Sequence, residues 1–308
     1  MKDNNIIKNI LSNYESENLG SKHNLARILM HGKLGGTGKL VILPVDQGFE
    51  HGPIKSFSIN SEAYDPSYHY KFAIESGVSA YSAPLGMLEA KISDYSSQLP
   101  LILKLNSNNV LNDSKNQAIT AAVKDALRLG CVGIGITIYP GSPYFTEMIE
   151  KAKEIIQEAK SYGLAVIVWS YPRSDNSTSK EETAIDMCSY ACHIACLIGA
   201  HIVKVKIPTS YIATTDAKKL LKNTNIETLQ SRVKQVIKSC FFGKRIILFS
   251  GGSMKNDKIL LGEIQSIANA GANGSIIGRN IFQRPKANAM RLLEKIYDIY
   301  LNSYKTCL

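Results

Sequence analysis

From residue 39 onward, short runs of β-branched and apolar residues alternate with longer stretches whose apolar positions recur at helical spacing. The short runs number eight: 39–46 (KLVILPVD), 78–83 (VSAYSA), 101–106 (LILKLN), 132–138 (VGIGITI), 164–171 (LAVIVWSY), 201–206 (HIVKVK), 244–250 (KRIILFS) and 274–278 (GSIIG). Their low polarity predicts strands buried on both faces. Between them, residues 116–129, 143–162, 181–198, 226–239, 258–270 and 285–300 read as amphipathic helices. Four of these are followed directly by glycine (Gly130, Gly163, Gly199, Gly271), the residue that ends a helix in a left-handed turn. Strict alternation of strand and helix implies a parallel sheet. Eight units predict an α/β fold, a (β/α)8 TIM barrel, in preference to an open doubly wound sheet. The expected division is an N-terminal extension, 1–38, with one helix at 6–29 and a Gly-rich turn (HGKLGGTGK), then the barrel, 39–308.

The turn's GGTGK has the look of a shortened phosphate loop. That motif needs Ser or Thr after the lysine and a strand before it, whereas Leu40 follows here and the segment leads into a strand. A structural turn is therefore expected.

Composition narrows the function classes. Hydrophobic residues make up 44% and charged residues 20%, enough apolar content to build a core and too little charge for a disordered chain. No run approaches 18 apolar residues, and the N-terminal segment is too polar and acidic for a targeting peptide, so a cytoplasmic protein without a membrane role is expected. The formal net charge of +10 comes from scattered lysines without a basic cluster interleaved with aromatics. This favours anionic metabolites over nucleic acid as partners. Cys188, Cys192 and Cys196 fall on one helical stripe beside His193, superficially a metal set. The same spacing is what a helix burying small apolar side chains produces, and that reading is preferred.

In a barrel of this kind, function collects at the C-terminal ends of the strands. The first run ends in Asp46, the third carries Lys104 and Asn106, the fifth Trp169 and Tyr171, and the sixth Lys204 and Lys206. Residues two apart share a face, so Ile202, Lys204 and Lys206 are expected to look toward the barrel axis, with His201, Val203 and Val205 outward. A lysine in that poorly solvated interior, beside a second cation, loses its proton and becomes a nucleophile for a ketone. Spacing alone does not choose between Lys204 and Lys206. The last two runs lead into Ser250-Gly251-Gly252-Ser253 and Gly278-Arg279-Asn280, where phosphate-binding loops of barrels lie. The six histidines offer no metal-binding set with acidic partners, and neither metal nor cofactor is expected.

LPVDQGFEHGP (43–53), WSYPR (169–173), GAHIVKVK (199–206), SGG and GRN, in this order, together resemble the archaeal-type class I fructose-bisphosphate aldolases, which also occur in bacteria. LILKLN and TIYPGS are similar to the bacterial branch in particular. The resemblance implies that Lys204 forms a Schiff base with fructose 1,6-bisphosphate, that Tyr171 moves protons in C–C cleavage and that Asp46 orients or deprotonates groups at the reacting carbons. It also implies that Trp169 shapes the pocket wall, and that Ser250, Gly251, Gly252, Gly278 and Arg279 hold one phosphate. His51, Lys104 and Arg284 are the basic candidates for the second phosphate, with Lys206 beside the substrate. His51 and Glu50 could equally stitch the first loop. A homo-oligomer is implied as well. Specificity would rest on 174–180 and 209–219, and the tail 300–308 could be a lid or an interface piece. A related aldolase acting on another phosphorylated ketose or an aromatic-precursor sugar, and a non-catalytic phosphometabolite-binding barrel, are the alternatives.

Overall fold

The computed structural model describes residues 5–95, 97–109, 111, 114–175 and 178–305. Cys307 and the end of the expected tail lie outside these residues, as do positions 176 and 177 of the proposed specificity loop.

Eight parallel strands close into a barrel: β1 (Leu40–Pro44), β2 (Ala80–Pro84), β3 (Leu101–Lys104), β4 (Gly133–Ile138), β5 (Ala165–Ser170), β6 (Ile202–Val205), β7 (Ile246–Ser250) and β8 (Gly274–Ile276). They run in sequence order around the barrel, and β8 pairs with β1 to close it. The longer helices are α1 (Asn5–Ser12), α2 (Leu19–Met30), α3 (Pro66–Ser76), α4 (Phe145–Ser161), α5 (Ile185–Leu197), α6 (Leu229–Ser239), α7 (Asp257–Asn269) and α8 (Lys286–Lys305).

Alternation along the strands builds two apolar layers. Val41, Leu43, Val203 and Val205 pack outward under the helices, while Leu40, Ile42, Ile202 and Leu248 fill the barrel. Both faces of each strand are thus removed from water, which is why the runs read as nearly continuous hydrophobic sequence. Register sets the rows of the interior: Thr137 pairs with Trp169, and Trp169 with Lys204. Gly135 lies opposite Lys104, and a Cβ there would come within 2.3 Å of the Trp169 ring. Only glycine makes room for that indole.

The predicted helix at 6–29 is two helices. Asn18 caps α2 by accepting a hydrogen bond from Ser21 N at 2.8 Å, a geometry that ends continuous helix. The break lets Tyr14 turn into the N-terminal end of the barrel, where its ring is buried beside Ile7, Leu25 and Ile28. Its hydroxyl donates to His201 O at 2.6 Å and accepts from Ile246 N at 3.0 Å. Glu17 pairs with Lys160 and lies 3.2 Å from His201 Nε2, whose ring burial favours in the neutral form. Through His201 and Lys160, its carboxyl is held down at about 2.

The expected helix at 116–129 is also shorter. Only Val123–Arg128 is helical, because Asp125 caps Ala122 N and the preceding residues form a two-stranded ribbon, Asn106–Ser107 with Ala118–Ile119. The Gly-rich turn lies at the N-terminal end of β1, with Lys39 Nζ donating to Ala272 O at 2.8 Å, at the barrel end opposite the polar strand ends.

Candidate active site

At the C-terminal end of the barrel a cavity of about 490 Å³ opens, lined by Asp46, Glu50, His51, Trp169, Tyr171, Lys204, Ser250, Gly251, Gly252, Gly278 and Arg279 among others. Most of the residues singled out at separate strand ends converge on it, Lys104 and Asn106 excepted.

Lys204 occupies the last inward position of β6 and is 5% exposed. Its Nζ lies 5.3 Å from the Trp169 ring centre and 5.7 Å from that of Tyr171. Burial pulls its pKa down from 10.5 to about 8. Asp46 and Glu50 oppose that shift, while Lys104 and Arg279 add to it. A substantial neutral fraction near physiological pH follows, and a neutral amine is nucleophilic.

Lys206 departs from the expectation that both lysines face the axis. β6 ends at Val205, so Lys206 stands at the rim, partly exposed and paired with Glu182. The buried second cation is Lys104. It does not line this cavity but an adjoining small one that shares Asp46, Glu50 and Thr137. Its Nζ donates to the Asn106 side chain at 2.8 Å, and Asn106 in turn accepts from Thr137 N at 2.7 Å. Lys104 Nζ lies 5.8 Å from the same Trp169 ring, so two desolvated lysines share one indole as neighbour. The structure thus couples Lys104 to Lys204 by charge, and enclosure in the Asn106 cage takes it away from a phosphate-binding position.

Tyr171 borders the cavity just beyond β5. Burial and the nearby carboxylates Asp46 and Glu50 hold its pKa well above 10, so it stands as a neutral phenol. Asp46, just beyond β1, is buried with Oδ1 lacking any hydrogen-bond partner among the described residues, and Trp169 Nε1 is in the same condition. Gln47 Oε1 of the same cavity is a third such atom; buried polar atoms are nearly always satisfied, so this cluster leaves hydrogen-bonding capacity open to a ligand. His51 lines the cavity and its pKa is lowered, chiefly by burial.

Ser250 ends β7, and residues 251 and 252 follow as an open loop with Gly252 at φ +70°. Gly278 leads into the short helix Arg279–Phe282, and a Cβ on it would meet Pro44 O at 2.7 Å. These close-approach glycines, with Arg279, form a basic wall on one side of the cavity.

Sequence reasoning passed over the side chains that hold this wall. Asn280 Nδ2 donates to Gly251 O at 3.0 Å and Ser253 O at 2.9 Å, while its Oδ1 accepts from Lys255 N. Arg284, a candidate for the second phosphate, instead braces the same loop: it donates to Asn280 O and Lys255 O and pairs with Asp257 at 2.8 Å. Lys255 lines the cavity and pairs with Glu263, and Arg173 stacks over Tyr139 and lies 3.6 Å from Glu50. Asn280 and Arg173 stood inside quoted motifs, GRN and WSYPR, which was the available signal.

Comparisons with known proteins agree with this geometry. The family model described as DeoC/LacD family aldolase matches residues 40–284. A probable fructose-bisphosphate aldolase class 1 of Chlamydia muridarum is 36% identical, over 90% of this chain and 84% of its own. The fructose-bisphosphate aldolase class 1 of Thermoproteus tenax is 34% identical, over 84% of this chain and 90% of its own. Among solved structures, a Schiff-base-forming fructose-1,6-bisphosphate aldolase superimposes with a TM-score of 0.75 at 28% identity, covering 90% of this chain and 99% of that one.

Proposed function

The chain belongs to the DeoC/LacD aldolase family, beside its class 1 fructose-bisphosphate aldolase relatives, and from that premise we propose that it cleaves fructose 1,6-bisphosphate reversibly through a Schiff base on Lys204. One observation carries the choice of lysine: among the described residues Lys204 alone combines burial in the cavity wall, a pKa near 8 and proximity to the Trp169 and Tyr171 rings.

In this mechanism, neutral Lys204 attacks the C2 ketone, and loss of water from the carbinolamine leaves a protonated imine. Asp46, a carboxylate with a free oxygen, takes the C4 hydroxyl proton; the C3–C4 bonding pair flows to the imine as an enamine, and glyceraldehyde 3-phosphate leaves. Tyr171, held as a phenol, donates the proton that C3 then takes up and recovers one from protonated Asp46, so both groups return to their starting states. Water hydrolyses the imine, freeing dihydroxyacetone phosphate and restoring the amine. The protonated imine is the electron sink, so no metal takes part in the scheme. Ser250, the glycines at 251, 252 and 278, Arg279 and the neighbouring Lys255 bind one phosphate; Lys206 supplies positive charge toward the other, with His51 as a neutral hydrogen-bonding ring.

Among the described residues no helix is long and apolar enough to cross a membrane. The reading carries a cytoplasmic enzyme and a homo-oligomer, the latter with exposed Tyr190, Leu197 and Phe242 as apolar surface on the outer shell.

The decisive test is mass spectrometry of the protein reduced with borohydride in the presence of dihydroxyacetone phosphate and excess chelator, followed by peptide mapping. A single adduct on Lys204 is expected. An adduct on Lys206 would transfer the role of nucleophile, and no adduct from a folded protein that still binds phosphate would refute the Schiff-base mechanism.

A further inference from the structure

Outside the catalytic cavity, two helices bring three thiols together. Cys192 and Cys196 are one turn apart on α5, and Cys240 follows the last residue of α6. Their sulfur atoms lie within 4.8 Å of one another, Cys196 Sγ being 3.6 Å from Cys240 Sγ. All three are free and buried. None lines the cavity that holds Lys204. The sequence stripe concealed this set, because Cys188 continues the repeat along the helix while the third member arrives from a different helix.

The spacing discriminates between two uses of neighbouring thiols. Sulfurs bound to a common d10 ion at about 2.3 Å stand about 3.8 to 4.0 Å apart, in tetrahedral or trigonal arrangement. The closest pair here is within a few tenths of an ångström of that edge. A disulfide needs sulfurs at about 2.05 Å and would leave the third thiol without a part. Arg245, whose guanidinium lies 5.7 Å from the Phe241 ring beside Cys240, brings positive charge to a cluster that becomes anionic when it binds.

We propose that Cys192, Cys196 and Cys240 form a site for one thiophilic d10 cation, Cu⁺ or Zn²⁺, that ties α5 to the end of α6. On binding, thiol protons pass to solvent and each sulfur donates an electron pair to the ion, with no change of oxidation state. Three donors complete a trigonal shell, which suits Cu⁺, whereas Zn²⁺ needs a fourth ligand. Tighter binding of Cu⁺ follows.

The test uses the full-length reduced protein under anaerobic conditions, titrated with Cu⁺ from a chromophoric chelator and, separately, with Zn²⁺ against a zinc-binding dye. One ion per chain is expected, with a thiolate-to-metal absorption band and a rise in Tm. Binding should weaken at least about 100-fold in Cys196→Ala and Cys240→Ala, and persist when Cys131, Cys188 and Cys307 are all replaced by Ser. Circular dichroism and aldolase turnover verify that each variant is folded. Cys192→Ser, which keeps the size of the side chain, provides a second loss of binding should Cys240→Ala fail to fold. Absence of binding by both ions, or binding that survives Cys240→Ala, overturns the proposal and leaves the three thiols as apolar packing.

Discussion

The two ends of the barrel solve opposite problems with similar residues. At the N-terminal end a tyrosine enters the interior and its hydroxyl finds both a donor and an acceptor, while Glu17 meets Lys160 and faces His201. At the C-terminal end a carboxylate oxygen of Asp46 and the indole nitrogen of Trp169 are buried without partners, and two lysines are stripped of water around one ring. The first end invests its polar groups in the fold. The second withholds them, and so keeps bonding capacity for a substrate at the expense of stability. Substitutions at the two ends should therefore change activity and stability in opposite combinations.

The largest effect is expected at Lys204. Lys204→Met removes the amine but keeps an unbranched chain of similar length. Turnover of fructose 1,6-bisphosphate should fall by roughly 10⁴- to 10⁶-fold, the range seen when a covalent nucleophile is lost. Because a desolvated ammonium is replaced by an apolar group, Tm should rise instead of fall. A drop in Tm would mean that Lys204 contributes to stability and that the contrast between the ends is wrong.

Tyr171→Phe comes next. It removes a proton donor and leaves the amine, so turnover should drop by about 10² to 10⁴ while the borohydride-trapped adduct with dihydroxyacetone phosphate still forms. Steady-state kinetics and adduct yield on the same preparation separate the two steps. Loss of the adduct along with turnover would place Tyr171 in imine formation instead.

What the chain revealed beforehand follows the same division. The strands and their order were legible because burial on both faces leaves a periodic record, and the inward direction of Lys204 came from parity along a strand. Lys206 obeyed the parity but not the burial, because the strand stops one residue earlier and Glu182 reaches its ammonium group. Lys104 was visible as a strand-end lysine, whereas its closeness to Lys204 depends on Trp169 filling the space above Gly135, a long-range packing relation with no local signature. Asn280 and Arg284 hold the loop at 251–255 through contacts across 25 to 29 positions, which spacing cannot report. The break between α1 and α2 was missed because the apolar positions of 6–29 continue in phase through a polar turn.

Tyr14→Phe probes the opposite end. It strands the Ile246 N–H and the His201 carbonyl inside the apolar cluster that closes the barrel. A loss of about 1–3 kcal/mol is expected for groups left unsatisfied in this way. Urea unfolding should register it, while turnover per folded molecule stays within twofold of the parent. A large fall in turnover at unchanged stability would show that the closed end also sets the geometry of the open one.

The smallest effects are in the pH dependence of stability, which has the same sign at the two ends but falls in different pH windows. Lys104 and Lys204 both have folded-state values of about 8 against an ordinary 10.5, burial being the main cause. Between those limits the unfolded chain holds protons that the folded chain has released, so stability rises with pH from about 8 upward. Glu17 is also lowered, to about 2 in the fold against 4.5, but here the charged form is the one stabilised, with the His201 and Lys160 interactions responsible. Its contribution is complete above about 4.5 and is lost as pH falls toward 2. Denaturant midpoints measured from pH 3 to about 9.5, below the ordinary tyrosine range, should thus fall at the acid end, while at the alkaline end the lysines drive a climb that the buried thiols of Cys131 and Cys188, raised to about 12 by burial, oppose. Lys204→Met should flatten only part of the climb, leaving the share of Lys104, and Glu17→Gln should flatten only part of the acid fall, leaving the share of the buried His69. A climb unchanged in Lys204→Met would mean that this lysine is already solvated in the free protein, which would remove the physical basis for its neutral amine.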